Sequence, residues 1–205
     1  KLAEFNATTI GVRAAGAIKK DKLFYFINYE RQDNETPQPF DINNYTGNVK
    51  NLTPSASVPD GIEFLRNNLV TRFGYNPGAY TNNFKTLKSD KFIAKIDWNI
   101  NDNHKLALRH SLVKANDVSP SRSSASTINF MGGAIDFKTT TNSSSLELNS
   151  RFGNKFANNL VIGYTSVVDD RNPFGSPFPN VEIRDGAGRI FLGSEPFSTA
   201  NLLEQ

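Results

Sequence analysis

Residues 90–110 read DKFIAKIDWNINDNHKLALRH and contain two runs in which apolar and polar side chains alternate. In the first run Phe92 and Ile96 fall on one face, and Lys95 and Asp97 fall on the other. Successive side chains of a β-strand point to opposite faces, so each run predicts a strand with one apolar and one polar face. The short Asn- and Asp-rich segment between the runs is typical of a tight hairpin turn. The stretch therefore predicts an antiparallel hairpin.

Two other parts of the chain follow the same plan. The three predicted hairpins cover about residues 8–31, 91–114 and 144–168, and long polar loops cover 32–88, 115–140 and 169–205. Short turns at one end of a sheet and long loops at the other are typical of outer-membrane barrels. We predict an all-β fold in which residues 1–205 supply about six antiparallel strands of a larger transmembrane β-barrel, with long extracellular loops.

One short helix is predicted within the first loop. Its signals are an N-cap at Asp60, a capping-box residue at Glu63, an apolar stripe and a terminating glycine at Gly74. The stripe consists of Ile62, Leu65, Leu69 and Phe73. We expect this helix to pack on neighbouring loops.

Composition excludes several classes of function. The 205 residues include no cysteine, which excludes disulfides, thiolate metal sites and cysteine nucleophiles. The net charge of +3 comes from scattered Lys and Arg, so we expect no nucleic-acid partner. The two histidines, His104 and His110, lack the spacing of metal ligands or of a catalytic triad. We expect no catalysis, no metal and no cofactor.

Charged residues on the polar faces of the strands are the first group of candidate site residues. In a barrel they would line the lumen, whereas in a soluble protein they would face solvent. This group consists of Glu30, Lys95, Asp97, Arg109, Glu147 and Arg151. Loop aromatics are the second group, as candidate ligand contacts: Tyr45, Tyr75, Tyr80 and Phe174.

Two hairpins carry a family resemblance. Residues 16–30, GAIKKDKLFYFINYE, resemble the hairpin near the barrel start of TonB-dependent outer-membrane receptors of the Oar-like group. Residues 90–110 are similar to the next hairpin of that group, and FPNVEI at 178–183 followed by NLLEQ at 201–205 resembles a later loop. One departure is Gly16-Ala17, where the family usually shows a Gly-Gly-Pro step.

The resemblance implies a barrel of about 22 strands with an N-terminal plug. It also implies a role in energy-coupled transport across the bacterial outer membrane, without catalysis. The implied partners are outer-membrane lipid, the plug and the rest of the barrel, TonB through a segment upstream of Lys1, and an extracellular substrate. No substrate-binding residues carry over, because such contacts vary with the loops.

The stretch from Leu23 to Ile27 is apolar on both faces. A strand with one face in water would alternate apolar and polar residues instead. We expect Tyr25, Ile27 and Tyr29 to face lipid, and Phe24 and Phe26 to point inwards against the plug.

The alternative is a soluble or surface β-sandwich that binds glycans or other ligands through its loops. It would bury the apolar strand faces under a second sheet, whereas a barrel exposes them to lipid.

Overall fold

The computed structural model of the chain describes residues 4–49 and 61–195, and the backbone of 202–204. It contains ten strands and one α-helix, with two short 3₁₀ turns at Ile42–Asn44 and Met131–Gly133. In chain order these are β1 Asn6–Lys19, β2 Leu23–Gln38, α1 Ile62–Phe73, β3 Asn83–Asn101, β4 His104–Ser119, β5 Thr127–Asn129, β6 Ile135–Phe152, β7 Phe156–Pro173, β8 Val181–Asp185, β9 Gly188–Leu192 and β10 Leu202–Glu204.

Seven strands form one large antiparallel sheet in the order β1-β2-β3-β4-β6-β7-β10. A hairpin lies at each of the three predicted positions, which confirms the predicted fold class. The strands are longer than predicted, since β2 runs to Gln38 and β3 begins at Asn83. Most of the additional residues are polar, and the pairing of these segments follows from backbone hydrogen bonds rather than from an apolar pattern. The sheet is not closed, because β1 and β10 each have an edge without a partner among the described strands.

The hairpin turns step regularly along the sheet. Lys19 and Leu23, the last pair of the first hairpin, lie in the same register row as Leu148 of β6. The last pair of the second hairpin lies in the row of Ser150, two residues further, and that of the third lies at Phe152, two residues further again. The turns are therefore displaced by one residue per strand. With a rise of about 3.3 Å per residue and a strand spacing of about 4.8 Å, this displacement corresponds to a strand tilt of about 35°. This is the tilt of barrel strands.

The three long loops fold together at one end of the sheet. We call this part, residues 39–49, 61–82, 120–134 and 174–195, the cap. Its centre is a small sheet in the order β5-β9-β8, in which β5 and β9 are parallel. Its core consists of Ile42, Tyr45, Ile62, Leu69, Tyr75, Tyr80, Ile128, Phe130, Ile190 and Leu192. Every buried hydrophobic side chain among the described residues belongs to the cap.

Hydrogen bonds join the loops of the cap to one another. The amide of Thr46, in the first loop, donates to the Ala125 carbonyl in the second, at 2.7 Å. The amide of Val49 donates to a carboxylate oxygen of Asp185, in the third loop, at 2.8 Å. The predicted loops are therefore one folded unit rather than separate polar excursions.

Helix α1 lies in the cap as predicted, with one difference at its start. The N-cap is Gly61, whose missing side chain makes no capping bond, and Asp60 lies outside the described residues. At the other end Gly74 adopts φ 64°, and its amide donates to the Val70 carbonyl at 3.0 Å. A left-handed residue at this position ends a helix, and glycine adopts it without strain.

Two glycines make room for the ring of Tyr45, which is only 1% exposed. A methyl group at Gly47 would collide with the edge of the ring, and one at Gly188 would collide with its hydroxyl end. The tyrosine therefore fits the cap core only because both positions lack a side chain.

We expect Gly188→Ala to destabilise the cap by about 1–3 kcal/mol, the usual cost of overpacking a core. Limited proteolysis of the intact protein should show faster cleavage within the cap. Gly163→Ala in β7 is the matched control, since its methyl group would meet nothing closer than the Ser144 carbonyl oxygen at 4.0 Å. Equal cleavage rates for the two variants would contradict the packing of Tyr45 described above.

Candidate functional site

The large sheet has two chemically different faces. One face carries a large group of exposed apolar side chains, with a few polar residues such as His110 among them. Its exposed members include Ile27, Ile96, Trp98, Leu108 and Ile162, at 42–58%. In β2 and β3 the side chains of this face are more exposed than their neighbours on the other, as on the convex side of a curved sheet. We call it the convex face.

The apolar part of the convex face has the height of a membrane. In β3 it extends from Phe92 to Ile100, nine residues that alternate with the polar face. A tilted strand needs about 9–11 residues to cross the hydrocarbon core. Charged residues begin directly above it: the Tyr29 hydroxyl donates to Asp90, and Arg31 lies 3.3 Å from the same carboxylate.

The upper border of the apolar part is lower in β6 than in β3. Leu146 is its last apolar residue in β6, and Ser144 follows, where His110 Nδ1 lies 2.9 Å from the Ser144 hydroxyl. The row of Phe92 reaches β6 at Asn142, so the border at Leu146 lies four residues further along the sheet. The border and the hairpin turns are displaced in the same direction, so a level membrane fits tilted strands.

The structure places all six predicted charged residues on the opposite, concave face. Lys95 lies directly opposite Arg109, and Asp97 lies in the row that contains Glu147. Lining of a lumen remains a prediction for these side chains, but they share one surface.

Polar contacts organise the concave face. The Lys91 ammonium lies 2.8 Å from Glu30, and the Lys95 ammonium lies 2.7 Å from Asp97. Glu147 accepts hydrogen bonds from the side-chain amides of Asn149 and Asn159 at 2.8 and 2.9 Å. All three carboxylates thus have partners.

Sequence reasoning did not select Lys91 or Lys105, although alternation put both on the polar face. Lys91 pairs with Glu30 only because the two lie opposite each other in register, which the order of residues does not reveal. Arg171 was also missed: it pairs with Glu195 of the cap at 2.9 Å, and both side chains are largely buried.

The first hairpin places its aromatic residues as predicted. Tyr25, Ile27 and Tyr29 lie on the convex face, because they share register rows with Ile96, Ala94 and Phe92. Phe24 and Phe26 lie on the concave face in the rows of Asp97 and Lys95, and both are half-buried.

The candidate ligand contacts in the loops fall into two groups. Tyr45, Tyr75 and Tyr80 are 1–6% exposed and belong to the cap core. They are not available at the surface, because all three come from the first long loop and pack in the cap core against apolar residues of the other two loops. Phe174 is 48% exposed and stays a candidate contact.

Two of these tyrosines have altered acidity. Burial raises the pKa of Tyr45 to about 12, and the nearby carboxylate of Asp185 adds to the shift. Burial likewise raises the pKa of Tyr80 to about 12, with a contribution from Glu63. The Tyr45 hydroxyl has no hydrogen-bond partner among the described residues.

Within residues 4–49 and 61–195, no cluster of three or more His, Asp or Glu side chains is arranged to hold a metal ion. No helix in the same part of the chain is long and apolar enough to cross a membrane.

Comparison with known families matches residues 1–200 to the outer membrane beta barrel domain. No curated protein and no solved structure matches the chain significantly.

We expect Leu108→Arg to reduce the amount of folded protein in the membrane, because an arginine on the lipid side near the bilayer midplane costs about 2–4 kcal/mol. Ala107→Arg, one residue away on the concave face, is the matched control and should fold normally. Heat-modifiable migration on gels measures the folded fraction. Equal reductions of the folded fraction in both variants would contradict the assignment of the faces.

A second prediction concerns alkaline pH and the cap, which lies outside the membrane. Because the phenol pKa values are raised from 10 to about 12, the folded state holds these protons more tightly than the unfolded state. Their contribution to stability is fully present below about pH 10 and is lost as the pH rises towards about 12. Proteolysis of the cap as a function of pH should show this loss, and it should be smaller in Tyr45→Phe.

Proposed function

The chain belongs to the family of outer membrane beta barrel domains and lies in the bacterial outer membrane; from this we propose that it forms part of the wall of a TonB-dependent transporter. Energy-coupled passage of a substrate between the outside and the periplasm would take place on the concave side. The chain itself would supply structure and surface, without catalysis.

The observation that carries this proposal is the contrast between the two faces of one sheet. The convex face carries apolar side chains over the thickness of the hydrocarbon core, which suits contact with lipid. A concave face with charged residues and satisfied carboxylates suits water and polar solutes. A simple membrane anchor would not need the second property.

The cap supports transport rather than an open pore. It is built by three loops, and it is attached to the wall by the Arg171–Glu195 pair and by Gln38, whose amide donates to the Pro120 carbonyl at 3.1 Å. An ordered structure of this kind at the barrel mouth would control which solutes enter. Its exposed residues, including Phe174, are the first surface that an extracellular substrate would meet.

The similarity of the first two hairpins to Oar-like receptors supports the TonB-dependent assignment. Further strands of the same barrel would pair with the open edges at β1 and β10, since exposed edges do not persist in lipid. A plug inside the barrel and TonB beneath it would complete the transporter.

A soluble β-sandwich that binds glycans would have to cover the convex face with a second sheet. The small sheet of the cap is the only other sheet in the described part of the chain, and Trp98 and Leu108 remain 44% and 45% exposed beside it. The burial that a sandwich needs is therefore not supported.

The proposal predicts that loss of the protein and loss of TonB alter the concentrations of the same solutes in the culture medium. Three strains are compared: the native bacterium, one without the gene for this protein, and one without TonB. The expected result is at least one solute whose depletion or accumulation is altered in both mutants and is restored by returning the gene.

Complementation with the Leu108→Arg variant is the control for correct assembly, and it should restore less. A solute that depends on the protein but still crosses in the strain without TonB would overturn the energy-coupled function.

A further inference from the structure

One register row of the concave face combines an aromatic ring with two cations. Phe26 of β2, Lys95 of β3 and Arg109 of β4 are direct cross-strand neighbours. With strands about 4.8 Å apart, the row extends about 10 Å from the ring to the guanidinium. All three side chains leave the sheet on the same side.

The two cations in this row are not equally compensated. Lys95 has Asp97 at 2.7 Å, whereas Arg109 is exposed and takes part in no ion pair within residues 4–49 and 61–195. Like charges directly opposite each other on a sheet are destabilising. An anion located between Lys95 and Arg109 would remove this repulsion.

The wider surface is also positive. From the turns up to the row of Lys91, the concave face of the described strands carries six basic and three acidic side chains. The basic residues are Arg13, Lys91, Lys95, Lys105, Arg109 and Arg151, and the acidic ones are Glu30, Asp97 and Glu147. A concave surface with an excess of positive charge raises the local concentration of anions.

Small side chains leave space around the row. Ala15 lies opposite Phe26, and Ser145 and Gly163 continue the row beyond Arg109. Ala107 lies next to Arg109 on the same face. A ligand could therefore lie along the row without displacing a large side chain.

We propose that Phe26, Lys95 and Arg109 form a binding site for an organic anion, with its carboxylate between the two cations and its apolar body against the ring. Arginine offers a carboxylate two parallel hydrogen bonds, and the lysine adds charge. Because of the half-buried ring, the site should bind an organic anion more tightly than an inorganic one, since an inorganic ion gains nothing from an apolar surface. The site rests on the proposed function in that the concave face lines the transport path, and it requires that the plug leave the ring of Phe26 accessible to the ligand.

The test uses the intact outer-membrane protein in amphipathic polymer and the probe 2-naphthoate, measured by titration calorimetry. The expected result is saturable binding of 2-naphthoate and at least about tenfold weaker binding of the neutral 2-naphthamide and of acetate. Arg109→Gln should weaken 2-naphthoate binding about tenfold, and Arg109→Lys should weaken it less. Phe26→Ala should weaken the binding of 2-naphthoate while leaving the binding of acetate unchanged.

Lys114→Gln is the matched control, because Lys114 lies on the same strand but on the convex face. It should leave 2-naphthoate binding unchanged, and gel migration checks that every variant folds. Equal binding to wild type and Arg109→Gln would overturn the site.

Absence of binding to the wild type would overturn it as well. If Arg109→Gln then lowered the melting temperature, a polypeptide segment would be the occupant of the row. The assay involves no energy coupling, so a failure of TonB-dependent transport would leave its result intact.

Discussion

Backbone hydrogen bonding in a medium without water is the constraint on which the rest of this structure depends. In lipid every amide and carbonyl must pair within the protein, and a sheet can do this only by a continuous ladder between neighbouring strands. Between β1 and β7 the pairing meets this requirement and shifts its register only beside the turns at Lys19 and Asn101, whereas the outer edges of the sheet lack partners among the described strands. Alternation of side chains then follows automatically, so one ladder produces both a lipid face and a polar face.

The two parts of the molecule are held together by different forces. Among the residues that the structure describes, no hydrophobic side chain of the large sheet is fully buried. The apolar residues of the convex face are therefore stabilised by the lipid around them. The cap, in contrast, has an ordinary core in which tyrosines and aliphatic residues from three loops pack on one another. The largely buried pair of Arg171 and Glu195 connects the two parts, so a structural change in the wall near β7 would affect the cap.

The strands were predictable because a single physical signal, the period of two, specifies both their existence and their faces. Alternation alone therefore assigns residues such as Ile96 and Asp97 to the correct sides of the sheet. The upper halves of the strands were not predictable, because around Thr36 and Lys85 polar side chains predominate on both faces and no regular alternation distinguishes them. The cap core was hidden for a similar reason. Tyr45, Ile128 and Ile190 are isolated apolar residues in polar stretches, and only the pairing of distant loops brings them together.

Register is also the property that turns a pattern of charges into a site. Lys95 and Arg109 are separated by fourteen positions in the chain, yet the turn at Asn101–His104 places them directly opposite each other. A shift of this pairing by one residue would turn one of the two strands over and place either Lys95 or Arg109 on the lipid face, where its charge would be very costly. The same turn geometry therefore keeps Leu108 in the membrane and Arg109 out of it. Specificity on the concave face and stability on the convex face cannot vary independently, because neighbouring residues of one strand serve both.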